Sequence, residues 1–162
     1  MKKTLVLFRH GEAEAESSGC GDHGRKLTVR GEAQSTATFK ALYSLNLGNY
    51  FFLVSDAVRA RQTFASSGAF FKDPERVEDH RLYLTGIEKM RSVLKEIDLG
   101  SDVNTLVIVA HNPGLSLALA TLAGDVTGLS TADAAVLSIE ADDWNDALAM
   151  DGCWDVNIIL RG

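Results

Sequence analysis

The apolar residues of this chain fall into short dense runs, separated by longer stretches in which they recur at helical spacing. Residues 4–8, 50–54 and 105–110 are almost wholly apolar, too short for helices and flanked by polar or breaker residues, so they predict buried strands. A helix is predicted over 28–45, with Thr28 as its N-cap and Asn46 and Gly48 as its stop. A second is predicted over 58–71, capped by Ser55 or Asp56. After an Asp73-Pro74 turn, 77–84 predict a less apolar strand nearer an edge. Residues 86–97 then set Ile87, Met90, Val93, Leu94 and Ile97 on one helical face. Asn112 and Pro113 suit an N-cap and a first helical residue for a helix running to about residue 122. Near the end, 134–139 and 154–160 predict two strands that pair as a hairpin-like edge.

Strand alternating with helix is the pattern of an α/β protein. The expected architecture is a three-layer α/β/α sandwich with a mostly parallel central sheet and an antiparallel C-terminal edge, in one domain over residues 1–162. With 162 residues, of which 46% are hydrophobic, the chain is large enough to bury a real core. A net charge of −6 argues against a broad nucleic-acid surface. No stretch approaches a membrane span, and the apolar run after Met1-Lys2-Lys3 is too short for a signal peptide. A cytoplasmic location is therefore expected, with Cys20 and Cys153 reduced and no metal-ligand spacing around them.

In parallel sheets, ligands collect outside the carboxyl ends of the strands. The first strand delivers Arg9 and His10 there, followed by Gly11. The second delivers Ser55 and, one helical turn on, Arg59. The fourth delivers His111 at a helix N-terminus. A fixed cation beside an imidazole suits a histidine that attacks phosphorus while the arginine holds the phosphoryl oxygens. Singly, Arg59 reads equally as a surface residue and His111 as a strand-end cap. Together, two arginines, two histidines and two helix N-termini describe a pocket for a dianion.

Residues 7–12 (with Arg9-His10-Gly11-Glu12), 54–63 (with Arg59) and 107–112 (with His111), in that order, resemble the histidine phosphatase superfamily, whose fold is called phosphoglycerate mutase-like. The chain length and segments 26–31 and 81–86 are most similar to the small SixA-type phosphohistidine phosphatases. The resemblance implies that His10 is the nucleophile and that Arg9, Arg59 and a protonated His111, together with Gly11, hold the phosphoryl group. It implies a covalent phosphohistidine that water hydrolyses, without metal or cofactor. Mutase and sugar-phosphatase members usually carry a glutamate general acid after the third strand, and residues 82–86 contain no carboxylate. The interval between Thr63 and Thr105 also leaves no room for a capping insertion.

Both absences favour a leaving group that needs little protonation, such as the imidazole of a phosphohistidine on a signalling protein, for instance a histidine phosphotransfer domain. Two other functions stay open. One is a small-molecule phosphomonoesterase acting on a sugar, nucleotide or cofactor-precursor phosphate. The other is a non-catalytic module that binds phosphoproteins, which would have no need of a free nucleophile. Glu12, Asp22 and Glu88 remain possible proton donors, although Glu88 reads foremost as an exposed helix residue. Ser17, Ser18 and Thr28 read as turn or cap residues, and His23 and His80 as surface. Trp144 and Trp154 read as packing, and Asp142-Asp143 as a solvated loop.

Overall fold

The computed structural model describes residues 1–17 and 19–162, so Ser18 lies outside the described residues. The apolar runs form strands β1 (Lys2–Arg9), β2 (Tyr50–Ser55) and β4 (Thr105–Ala110), with β3 (Arg76–Asp79) between the last two. Helices α1 (Val29–Ser44), α2 (Val58–Ala65), α3 (Ile87–Glu96) and α4 (Gly114–Ala123) alternate with them. Strands β5 (Ala134–Glu140) and β6 (Asp155–Leu160) close the chain, joined through a short helix α5 (Trp144–Ala149) rather than a tight hairpin. All six strands make one sheet in the order β3-β2-β4-β1-β5-β6. The first four are mutually parallel, and β5 runs antiparallel to both β1 and β6.

Period-two alternation divides the core between the two faces of this sheet. Val6, Phe8, Phe52, Val54, Val107 and Val109 face one way and pack on Phe39 and Leu42 of α1 and Phe64 of α2. Leu5, Leu7, Leu53, Leu106 and Ile108 face the other way, against Met90 and Val93 of α3, Leu115 and Leu119 of α4, and Trp144. This is the expected three-layer sandwich. Each fully buried Phe or Leu contributes about 1.5–3 kcal/mol, so the sheet is held rigidly and its strand ends stay fixed. Trp144 and Trp154 are buried, and their indole N–H groups donate to the carbonyls of Val103 and Ala147. Both cysteines are free and exposed. Among the described residues no helix is long and apolar enough to cross a membrane.

Three local expectations need correction. The strand predicted over 77–84 ends at Asp79, because the Asp79 carboxylate accepts from the Arg81 backbone N–H at 2.8 Å and opens a 3-10 turn, His80–Leu82. The helix predicted over 58–71 stops at Ala65 and gives way to a 3-10 turn, Ser66–Ala69, where serine and glycine weaken the α conformation. Helix α4 begins at Gly114 rather than Pro113, although the Asn112 side chain still caps it by accepting from the Ser116 N–H at 3.1 Å. By contrast, α1 starts where expected, with Thr28 Oγ1 accepting from the Gly31 N–H at 2.9 Å.

Candidate active site

The parallel register brings the ends of β1, β2 and β4 side by side, with Arg9 paired to Ala110 and Val54 to Val109. The residues that follow those ends line a cavity of about 300 Å³, into which Arg9, His10, Asp22, Arg59, His111 and Leu84 are drawn together. A larger cleft of about 490 Å³ lies around Tyr50, Phe71 and Asp102, but it contains no histidine and no arginine.

His10 is locked from both sides of its backbone. Its N–H donates to the Ala110 carbonyl at 3.1 Å and its carbonyl accepts from the Ala132 N–H at 2.9 Å. Its ring is oriented by two further bonds. Nδ1 lies 2.7 Å from the Gly11 carbonyl, which only accepts, so Nδ1 carries the proton. Nε2 then presents its lone pair, and the Arg59 Nε–H donates to it at 3.2 Å. Burial, followed by the nearby Arg59 and Arg9 charges, pushes the His10 pKa down from 6.5 to about 4, against the opposing pull of the Gly11 bond. At neutral pH the imidazole is uncharged and nucleophilic.

Gly11 supports this arrangement by allowing a close approach. A Cβ there would sit 2.4 Å from the Gly31 carbonyl oxygen and 2.6 Å from Ser35 Oγ on α1. Its N–H is already given to Thr63 Oγ1 at 3.0 Å. Gly11 therefore positions His10 instead of offering a backbone donor to phosphate.

Arg59, in the first turn of α2, is only 1% exposed. Its other two nitrogens bind Asp22, through the backbone carbonyl at 2.7 Å and Oδ2 at 3.1 Å. Tyr83 donates its hydroxyl to the same Oδ2, and Arg25 Nε donates to Oδ1 at 2.9 Å. These bonds, Tyr83 first and Arg59 next, hold the Asp22 carboxyl at a pKa of about 2. Asp22 is thus ionised, and in the free site it occupies part of the cationic surface of Arg59.

His111 is buried at the end of β4, with Nε2 2.8 Å from Ser55 Oγ. Ser55 Oγ already accepts the Ala57 N–H at 3.3 Å. Its own hydroxyl proton is best directed to His111 Nε2, which places the imidazole proton on Nδ1. Burial first, then His10 and Arg59, lowers the His111 pKa to about 3. The expectation of a protonated His111 is therefore corrected for the free site: the ring is neutral and acts as an N–H donor. Among the described residues, the buried side-chain nitrogen and oxygen atoms without a hydrogen-bond partner are Arg9 Nε and His111 Nδ1. Both belong to residues lining this one cavity. An unpaired buried donor costs about 1–3 kcal/mol, so the protein's own atoms leave polar groups beside this cavity unsatisfied.

The structure thus brings Arg9, His10, Arg59 and His111 together at one cavity, whereas Gly11, expected to hold phosphate, stands behind His10 with its N–H given to Thr63. Among the weaker candidates, Asp22 enters the site, and Glu12 lies at its edge, bonded to Thr28 and Arg30. Glu88 is exposed on α3 and paired with Arg91, while Ser17 bonds Cys20. Asp142 and Asp143 are exposed, Asp143 capping α5. Tyr83 and Thr63 were missed, since nothing in their local spacing marks them. His23 and His80, read as plain surface residues, converge on Asp56 at the rim, so Asp56 does not cap α2.

Comparison with known proteins agrees with this geometry. The family model for the histidine phosphatase superfamily (branch 1) matches residues 5–83. An uncharacterized chloroplastic protein of Arabidopsis thaliana is 27% identical over 161 residues, covering 94% of this chain and 73% of that protein. The solved structure of a candidate phosphohistidine phosphatase SixA from Nakamurella multipartitia superposes with a TM-score of 0.80 at 24% identity, covering 99% of this chain and 96% of that one. A mycobacterial glucosyl-3-phosphoglycerate phosphatase shares the fold at a TM-score of 0.68 and 18% identity, covering 98% of each chain.

Proposed function

We propose that this chain is a phosphatase of the histidine phosphatase superfamily and that it removes the phosphoryl group from phosphohistidine on another protein, a reading supported by the family model over residues 5–83 and by the shared fold. The observation that carries the reading is the convergence of Arg9, Arg59 and His111 on one cavity around His10, where Nε2 of His10 is unprotonated and accepts only the Arg59 Nε–H at 3.2 Å. In this reading Nε2 attacks phosphorus in line. The Nε2–P bond forms as the P–N bond of the substrate breaks. A phosphohistidine whose other ring nitrogen is protonated departs as neutral imidazole, so the protein has no proton to supply. Arg9, Arg59 and His111 hold the equatorial oxygens, where the charge of a loose transition state resides. Water then attacks the phosphorylated His10, restoring its lone pair and releasing inorganic phosphate and a proton.

Two features favour a P–N over a P–O substrate. An alkoxide leaving group gains much from a general acid, yet Asp22, the carboxyl group nearest Arg59, is held ionised. Glu12 is engaged by Arg30 and Thr28. The cavity, at about 300 Å³, is also at the small end for a site that encloses a whole ligand. It suits a phosphoryl group and one ring presented from a protein surface.

The test is to offer the protein a phosphohistidine-bearing phosphotransfer domain, phosphoserine peptides and a panel of sugar phosphates, beside His10→Ala and Arg59→Gln. Phosphohistidine should be turned over in preference. His10→Ala should abolish turnover, and Arg59→Gln should lower it by about 10²–10³, the loss expected for one preorganised donor. Efficient hydrolysis of a sugar phosphate with phosphohistidine untouched would move the assignment to the small-ester alternative. Equal behaviour of wild type and His10→Ala would remove His10 as nucleophile.

A further inference from the structure

We infer that His23, Asp56 and His80, which share no residue with the phosphate pocket, form a binding site for a first-row divalent cation of the zinc type on its rim. No two of the three are sequence neighbours. Asp56 directly follows β2 and His80 directly follows β3, and these strands pair in parallel with Ser55 opposite Asp79, so the two side chains leave the sheet side by side. His23 arrives from the loop after β1, where its carbonyl is fixed by the Val58 N–H at 3.1 Å. His23 Nε2 lies 2.8 Å from Asp56 Oδ1, and His80 Nδ1 lies 3.0 Å from Oδ2. One ligand atom from each of the three lies within 4.8 Å of the others. In a tetrahedral site with bonds of about 2.0–2.1 Å, ligand atoms stand about 3.3 Å apart. The two histidine–carboxylate spacings are already within about half an ångström of that value, and a movement of up to about 1.5 Å between the two imidazole nitrogens completes the geometry around an ion.

The charge pattern supports the assignment. The other carboxylates around this end of the sheet are neutralised by arginine: Asp22 by Arg59 and Arg25, Asp79 by Arg81, and Asp133 by Arg161. Asp56, partly buried, pairs among the described residues with the two imidazoles alone. Two imidazole nitrogens and one carboxylate are a borderline donor set that suits Zn²⁺, Co²⁺ or Ni²⁺ better than Mg²⁺ or Ca²⁺. His80 is exposed and His23 partly so, which leaves an entry path and room for water to complete the coordination. The rings of His23 and His80 lie 4.9 and 5.8 Å from that of Tyr83, whose hydroxyl holds Asp22, so the ion would sit next to the pocket without entering it.

The experiment is a Zn²⁺ titration of the full chain by calorimetry, with Cys20→Ser and Cys153→Ser in the background to remove the exposed thiols. It is repeated with Co²⁺, whose visible d–d bands report nitrogen and oxygen ligation. One ion per chain is expected. His80→Gln, at an exposed position that the fold tolerates, and Asp56→Asn should each weaken binding by at least about tenfold, while His10→Ala should leave it unchanged. The inference is overturned if wild type takes up no Zn²⁺, or if His80→Gln binds as tightly as wild type. It is equally overturned if His10→Ala abolishes binding, which would place the ion in the phosphate pocket.

Discussion

The neutrality of His10 makes a quantitative prediction. An unperturbed imidazole with a pKa near 6.5 is only about 3% neutral at pH 5, whereas one with a pKa of about 4 is about 90% neutral. The nucleophile at pH 5 is thus enriched about thirtyfold over an exposed histidine. The same burial sets a stability trend. Above pH 6.5 His10 is neutral in both the folded and unfolded chains and adds no pH dependence. As the pH falls from 6.5 towards 4, the unfolded imidazole takes a proton that the folded one refuses, so folding loses stability over that window. Between pH 7 and pH 5 the loss from His10 alone is about 2 kcal/mol. Proton–nitrogen correlation spectra of the histidine-labelled protein should show the Nδ1–H tautomer and a midpoint near 4 for His10. Urea unfolding of His10→Gln should fall less steeply between pH 7 and pH 5 than that of wild type, by about that amount. A midpoint near 6.5, an Nε2–H tautomer, or parallel pH slopes for the two proteins would refute the reasoning.

Two further outcomes test the surroundings of His10. Asp22→Asn removes the charge that occupies Arg59 in the free site, so vanadate should inhibit about fivefold more tightly, the equivalent of about 1 kcal/mol for a partly exposed ion pair. Weaker inhibition would show that Asp22 does not compete for that surface. Gly11→Ala drives a Cβ to 2.4 Å from the Gly31 carbonyl and should destabilise by about 1–3 kcal/mol, read as a lower urea midpoint. An unchanged midpoint would mean that the loop relaxes away from α1 without penalty.

Much of this protein is legible in its sequence because the relevant forces are local. Dense apolar runs such as 105–110 have no stable home except a doubly covered strand, and Thr28 marks a helix start wherever the chain goes next. Arg9, His10, Arg59 and His111 were legible for a related reason: each stands just after a buried run, and parallel strands align their carboxyl ends. What periodicity missed was decided by contacts between distant segments. The strand predicted over 77–84 was cut short by Asp79 binding its own backbone two residues on, and the resulting turn carried Tyr83 to Asp22 and His80 to Asp56. His23 and His80 carry no local sign of their meeting, since 57 positions separate them and only the pairing of β2 with β3 closes the gap. Charge state was likewise beyond the sequence. His111 reads as a cation from its residue type, and burial beside His10 and Arg59 makes it a neutral donor. Residue order determined which groups reach the sheet edge; desolvation and long-range contacts decided which protons they carry there.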